Sequence, residues 1–119
     1  MRKPTAVIPL VESSEGAANF EKILCTPGIT AVFLGPVDLS VAMGLKGNVN
    51  APEVRSALLT MVEQANRAGI PVGALGLDPA FVRELFSRGL NFLAYGIDTI
   101  LMYQKCCEIQ QAVFGRSAQ

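Results

Sequence analysis

Apolar residues fall in four short unbroken runs, at 5–11, 29–34, 71–76 and 91–95, and after each run they recur at three- and four-residue intervals. Unbroken rather than alternating runs are the pattern of strands buried on both faces of a parallel sheet, and the wider spacing is that of amphipathic helices. The first run predicts a strand followed by a helix over about 14–25, with Ala17, Phe20 and Leu24 on one face and Pro27-Gly28 ending the unit. The second predicts a strand, a loop from Gly35 through Asn50, and a helix over about 52–68. Val54, Leu58, Met61 and Ala65 form its stripe, with Asn50 as cap and Gly69 as stop. In the third, Asp78 caps a helix that has Pro79 in its first turn and Gly89 after its last. The fourth strand leads through Gly96 to a helix over about 98–114, with Met102, Cys106, Ile109 and Val113 as stripe and Gly115 as stop.

Alternating strand and helix units imply an α/β fold with a parallel sheet covered by helices. A closed barrel of such units needs eight and about 250 residues. The 119 residues here are expected to form one domain, 1–119, of four βα units, half of such a barrel. Half the residues are hydrophobic, only 17% are charged, and the mean hydropathy is +0.38. That is apolar for a monomer and suggests surface buried against something else. Zero net charge leaves no basic stripe for phosphate backbones, which sets nucleic acid aside. No run of about 18 apolar residues exists to span a bilayer, so no membrane partner is expected. Met-Arg-Lys-Pro leads into a strand rather than a signal-peptide core. Cys25, Cys106 and Cys107 lack CxxC spacing and read as reduced, mostly packed thiols of a cytoplasmic protein. Histidine is absent, which excludes Ser-His-Asp and Cys-His mechanisms and His-ligated zinc from this chain acting alone.

Two acids fall where consecutive strands give out into loops, the face on which α/β barrels build chemistry. Glu12 closes the first run, and Asp38 follows the second in Gly35-Pro36-Val37-Asp38-Leu39-Ser40. Neighbouring strands lie roughly 4.8 Å apart, so the two carboxylates can share one hard cation that keeps open positions for a substrate. Each has a plainer role open to it. Glu12 can be a first-turn acid before a helix, and Asp38 can cap a helical turn beginning at Leu39. Gly35 and Pro36 set a turn that frees the N–H groups of Val37 and Asp38 to point at an anion. Asp98 reads as a helix cap, Lys46 as a solvated loop lysine able to reach an acidic substrate, and Tyr95 as core or rim.

With these residues in place, the chain resembles the class II, metal-dependent pyruvate aldolases of the HpcH/HpaI aldolase and citrate lyase family. The resemblance is carried by Pro9-Leu10-Val11-Glu12-Ser13, Asn19, Pro27-Gly28-Ile29, the stretch from Val32 to Ser40, Met43-Gly44 with Pro52 further on, and Tyr95-Gly96-Ile97-Asp98-Thr99. The 26-residue separation of the two acids fits the same pattern. It implies the C-terminal half of a TIM-type (β/α)8 barrel, in which Glu12 and Asp38 hold Mg2+, Mn2+ or a similar ion such as Co2+. The implied reaction is aldol cleavage of a 4-hydroxy-2-oxo acid to pyruvate and an aldehyde through a metal-stabilised enolate. The substrate carboxylate would lie on the backbone at Val37 and Asp38. Leu10 takes the substrate-facing place where many members carry glutamine. The family's catalytic arginine and histidine belong to the first half of the barrel, so no catalytic residue is assigned here. The resemblance also implies a homo-oligomer in which the last helix packs on a neighbouring subunit. A citrate lyase or malyl-CoA type of C–C lyase, and a non-catalytic half-barrel that assembles with another half, are the alternative readings.

Overall fold

The four apolar runs pair in chain order into one parallel sheet: β1 (Leu10–Val11), β2 (Val32–Leu34), β3 (Val72–Gly76) and β4 (Phe92–Tyr95). The structure is a computed structural model and describes residues 5–115. The rungs align Leu10 with Phe33, Phe33 with Gly73, and Gly73 with Phe92; one step on, Val11, Leu34, Ala74 and Leu93 align. Extended pairing reaches beyond β1, since Thr30 and Phe33 donate their N–H groups to the Val7 and Pro9 carbonyls at 2.9 Å.

Alternation in a strand sends successive side chains to opposite faces, and the two faces here differ sharply. Val11, Val32, Leu34, Val72 and Ala74 are buried in one cluster with Phe20 and Leu24, Leu39, Val54, Leu58, Met61, Val62 and Ala65, Phe81 and Leu85. Those partners come from helices α2 (Phe20–Leu24), α3 (Pro36–Ala42), α4 (Pro52–Arg67) and α5 (Pro79–Ser87). The opposite face carries Leu10, which is 53% exposed, and half-buried Phe33 and Phe92. The two rings lie 5.8 Å apart, tilted by 33°. They meet across Gly73, where a Cβ would overlap the Phe92 ring. The first run is therefore not buried on both faces as its composition suggested, because β1 is an edge strand and nothing described covers its second face.

Three local expectations are corrected. The helix over 14–25 is two helices, α1 (Ser14–Ala18) and α2, broken at Asn19. Asn19 donates its side-chain amide to the Glu15 carbonyl at 3.0 Å, a local bond that competes with helix continuation. The segment from Gly35 to Asn50 is not all loop, because α3 begins at Pro36. Proline suits the first helical position, where its missing N–H would be unpaired anyway, and burial of Leu39 and Ser40 holds the helix on the core. Asn50 does not cap α4. Ala51 occupies the cap position without a side-chain bond, and Asn50 Oδ1 instead accepts from Arg55 at 2.8 Å.

The last helix, α6 (Asp98–Phe114), buries none of its residues. Met102, Ile109 and Val113 of its stripe are all more than half exposed. The radius of gyration is 16.8 Å, against about 13.5 Å for a compact chain of this length. Cys25 and Cys106 are exposed and Cys107 half-buried, so the thiols are not packed as expected. The surfaces that carry them, α6 and the end of α2, are not covered by other described residues. Among the described residues no helix is long and apolar enough to cross a membrane.

Candidate metal centre at the C-terminal end of the sheet

Glu12 is the first residue past β1, and Gly35 the first past β2. The Gly35 N–H donates to the Val11 carbonyl at 3.0 Å, which locks the two strand ends side by side. By alternation Glu12 shares the face of Leu10 rather than that of buried Val11. A Cβ built on Gly35 would lie 3.0 Å from Glu12 Cβ, 3.3 Å from its Oε2 and 3.4 Å from Leu10 Cδ1. Glycine at this position therefore leaves open the space in which the Glu12 carboxylate rests. Ser13, next in the chain, caps α1 by accepting from the Gly16 N–H at 3.0 Å; Glu12 precedes that cap and is not itself a first-turn acid.

Asp38 is exposed and sits within the first turn of α3, whose cap position is Gly35. It is thus not the cap of a turn starting at Leu39. The first backbone bond of α3 runs from the Leu39 N–H to the Gly35 carbonyl at 3.1 Å. Pro36 has no N–H, so those of Val37 and Asp38 are the donors a helix start leaves without an internal partner. Ser40 points elsewhere, donating its hydroxyl to the Val37 carbonyl at 2.6 Å.

Among the described residues no three His, Cys, Asp or Glu side chains converge as a metal cluster, so this chain offers two carboxylates rather than a closed cage. Carboxylate oxygens such as those of Glu12 and Asp38 are ligands of the kind that hard ions, Mg2+ or Mn2+, accept. Such ions are commonly held by one or two carboxylates and keep several waters. Structural zinc calls for four nitrogen or sulfur ligands.

Leu10 stands on the same face two residues before Glu12 and offers hydrocarbon only. Lys46 is exposed in the turn after α3, at φ 52°. Tyr95 is 48% exposed at the end of the far edge strand, a rim position. Asp98 is not the cap of α6, a position held by Ile97; its Oδ1 accepts from the Thr99 N–H at 2.7 Å.

One polar cluster near the same end of the sheet went unread in the sequence. Arg55 Nη2 donates to Asp78 Oδ2 at 2.6 Å and to Asn50 Oδ1 at 2.8 Å, and its guanidinium lies 4.5 Å from the Phe81 ring centroid. This ties the segment before α4 to the start of α5. Asp78 caps α5 by accepting from the Ala80 N–H at 3.0 Å. That bond, then the Arg55 pair, lowers its pKa below the ordinary carboxylate value. The partners are 23 residues apart and no local spacing announces them.

The sequence model of the HpcH/HpaI aldolase/citrate lyase family matches residues 1–104. The chain is 38% identical over 99 residues to a hydroxypyruvate/pyruvate aldolase of Pseudomonas aeruginosa, covering 83% of this chain and 37% of that protein. It is 36% identical over 104 residues to a 2-keto-3-deoxy-L-rhamnonate aldolase of Salmonella paratyphi B, covering 87% and 39%. In structure it matches an HpcH/HpaI aldolase from Desulfitobacterium hafniense DCB-2 with a TM-score of 0.79 at 23% identity, covering 91% of this chain and 42% of that one. The chain thus spans about two fifths of the length of these relatives, and their barrel fold makes its four-stranded sheet half of a barrel.

Proposed function

Because the chain belongs to the HpcH/HpaI aldolase/citrate lyase family, we propose that it forms the metal-binding half of a carbon–carbon lyase that cleaves a 4-hydroxy-2-oxo acid to pyruvate and an aldehyde. Glu12 and Asp38 are the two anionic ligands of a divalent ion. The N–H groups of Val37 and Asp38 hold the substrate carboxylate, and Leu10 lines the site without donating to it. When bound, the ion supplies Lewis acidity at the keto oxygen. Residues 1–119 act as one domain in the cytoplasm, and α6 packs on a neighbouring subunit of a homo-oligomer. The observation that carries the reading is that Glu12 stands first past β1 and Asp38 in the first turn of the helix following β2, the neighbouring parallel strand, with Gly35 vacating the space beside Glu12.

The family resemblance assigns the catalytic arginine and histidine to the first half of the barrel, and this chain has no histidine; on this reading the present half supplies binding rather than turnover. The test is a Mn2+ titration of the chain, alone and with pyruvate, followed by electron paramagnetic resonance. The expected result is saturable Mn2+ binding that pyruvate tightens, and a loss of at least about tenfold, or 1.4 kcal/mol, in Glu12→Gln and in Asp38→Asn. Asp38 is not a cap, so Asp38→Asn removes only a first-turn charge worth about 0.3–1 kcal/mol to α3, and its circular dichroism should match wild type. Unchanged Mn2+ affinity in both variants would return the two acids to structural roles.

A further inference from the structure

The two segments that carry Glu12 and Asp38 are joined twice by hydrogen bonds. At one end the Gly35 N–H donates to the Val11 carbonyl at 3.0 Å. At the other, Ser14 Oγ donates to the Ala42 carbonyl at 2.9 Å, across 28 residues of chain. Ser14 is the first residue of α1 and Ala42 the last of α3. The last carbonyls of a helix have no partner within it, so the hydroxyl meets an acceptor that α3 leaves open. Glu12 is thereby bracketed by Val11 and Ser14 in the first segment, and Asp38 by Gly35 and Ala42 in the second. Away from this bond the flanking helices pack on different neighbours, α1 on α2 and α3 on α4. The two bonds together close a ring through both segments, whereas the first alone would leave a hinge at Gly35.

We propose that Ser14 is a positioning residue of the metal centre: its bond to Ala42 holds α3, and with it Asp38, in a fixed place relative to Glu12. This role rests on the metal-binding reading of the two acids, and Ser14 itself need touch neither the acids nor the ion. Asp38 is exposed whereas Glu12 is half-buried, so Asp38 takes its position from its helix rather than from packing of its own. Leu39 and Ser40 anchor one side of that seven-residue helix in the core, and the Ser14 bond fixes its far end. The neighbouring hydroxyl does not share the task, because Ser13 accepts from the Gly16 N–H at 3.0 Å within α1. The net worth of one hydrogen bond corresponds to a factor of about two to ten in an equilibrium constant, which bounds the effect of losing Ser14 on ion affinity. The coupling is reciprocal: an ion held by both acids strengthens the Ser14 bond by the same factor.

The test is Mn2+ affinity, with the zero-field splitting of bound Mn2+, read by electron paramagnetic resonance in wild type, Ser14→Ala, Ser14→Thr and Ser87→Ala. Ser87 donates its hydroxyl to the Glu84 carbonyl at 2.7 Å within α5, so its variant loses the same kind of bond away from the two acids. Ser14→Ala should bind Mn2+ about three- to tenfold more weakly, with a wider spread of zero-field splitting. Ser14→Thr, which keeps the hydroxyl at an exposed position, should recover affinity to within about twofold, and Ser87→Ala should match wild type. Wild-type affinity in Ser14→Ala, an equal loss in Ser14→Thr, or an equal loss in Ser87→Ala would overturn the proposal while leaving Glu12 and Asp38 as ligands. A wild-type protein that binds no Mn2+ overturns the metal reading and this role with it. Should Ser14→Ala fail to fold, the wild type still decides: the Ala42 carbonyl 13C resonance should follow a Mg2+ titration, and a resonance unmoved at saturation overturns the proposal.

Discussion

Replacing Gly35 by alanine should damage metal binding while sparing the fold, and the structure supplies both magnitudes. Gly35 has φ −102° and ψ 92°, a conformation any residue can adopt. Removing a glycine from such a position stabilises by about 0.4–1 kcal/mol through the unfolded chain. Against that, Gly35 is the cap residue of α3, where alanine is worse than glycine by about 0.5–1 kcal/mol. The new methyl would also sit 3.0 Å from Glu12 Cβ and 3.3 Å from its Oε2, closer than ordinary contact. These terms nearly cancel, so the melting temperature should move by less than about 5 °C in either direction. The carboxylate has less freedom. It must shift by a few tenths of an ångström to clear the methyl, whereas metal sites hold their ligand distances to about ±0.2 Å. Residues that position metal ligands typically cost 10–100-fold in affinity when altered, so Gly35→Ala should weaken Mn2+ by about tenfold or more. Isothermal titration with Mn2+, paired with a thermal melt, reads both quantities. Wild-type Mn2+ affinity in a variant that is as stable as wild type would refute the idea that the space beside Glu12 serves an ion.

Other outcomes follow from the packing and the charges. Gly73→Ala forces a methyl into the Phe92 ring and should cost about 1–3 kcal/mol by overpacking; Phe92→Leu should recover part of that loss in a double-mutant cycle by urea unfolding. Leu58 is 1% exposed within the core cluster, so Leu58→Ala should cost about 2.7–5 kcal/mol, measured in the same way. The Asp78 pKa is lowered from its ordinary 3.8, first by the Ala80 N–H and then by Arg55. Its stabilising contribution is therefore complete above the unfolded value and lost as pH falls through the folded one. The difference in melting temperature between wild type and Asp78→Asn should be constant near neutral pH and shrink below about pH 4. The isolated 119-residue chain, assayed with Mn2+ and a 4-hydroxy-2-oxo acid, should release no pyruvate; measurable turnover would mean that a residue of this half moves the proton.

The sequence by itself determined the number and kind of units, because short unbroken apolar runs bounded by turn residues mark buried strands and a 3.6-residue period marks helices, neither of which needs a distant partner. It also marked Glu12 and Asp38 as strand-end acids, since their place follows from where the apolar runs stop. Pro79 after a capping Asp78 and Gly115 after α6 were legible for the same local reason. What tertiary structure alone decided depended on groups far apart in the chain. The register of Val11 on Leu34 sets Glu12 beside Gly35. The Arg55–Asp78 pair bridges 23 residues and draws Asn50 away from α4. The start of α3 at Pro36, where Gly-Pro reads as a turn, rests on burying Leu39 and Ser40 in the core. The break at Asn19 turned on one side-chain bond to a carbonyl. Exposure could not be read locally either: the second face of β1 and the stripe of α6 have the composition of buried surfaces, yet no other described residue covers them.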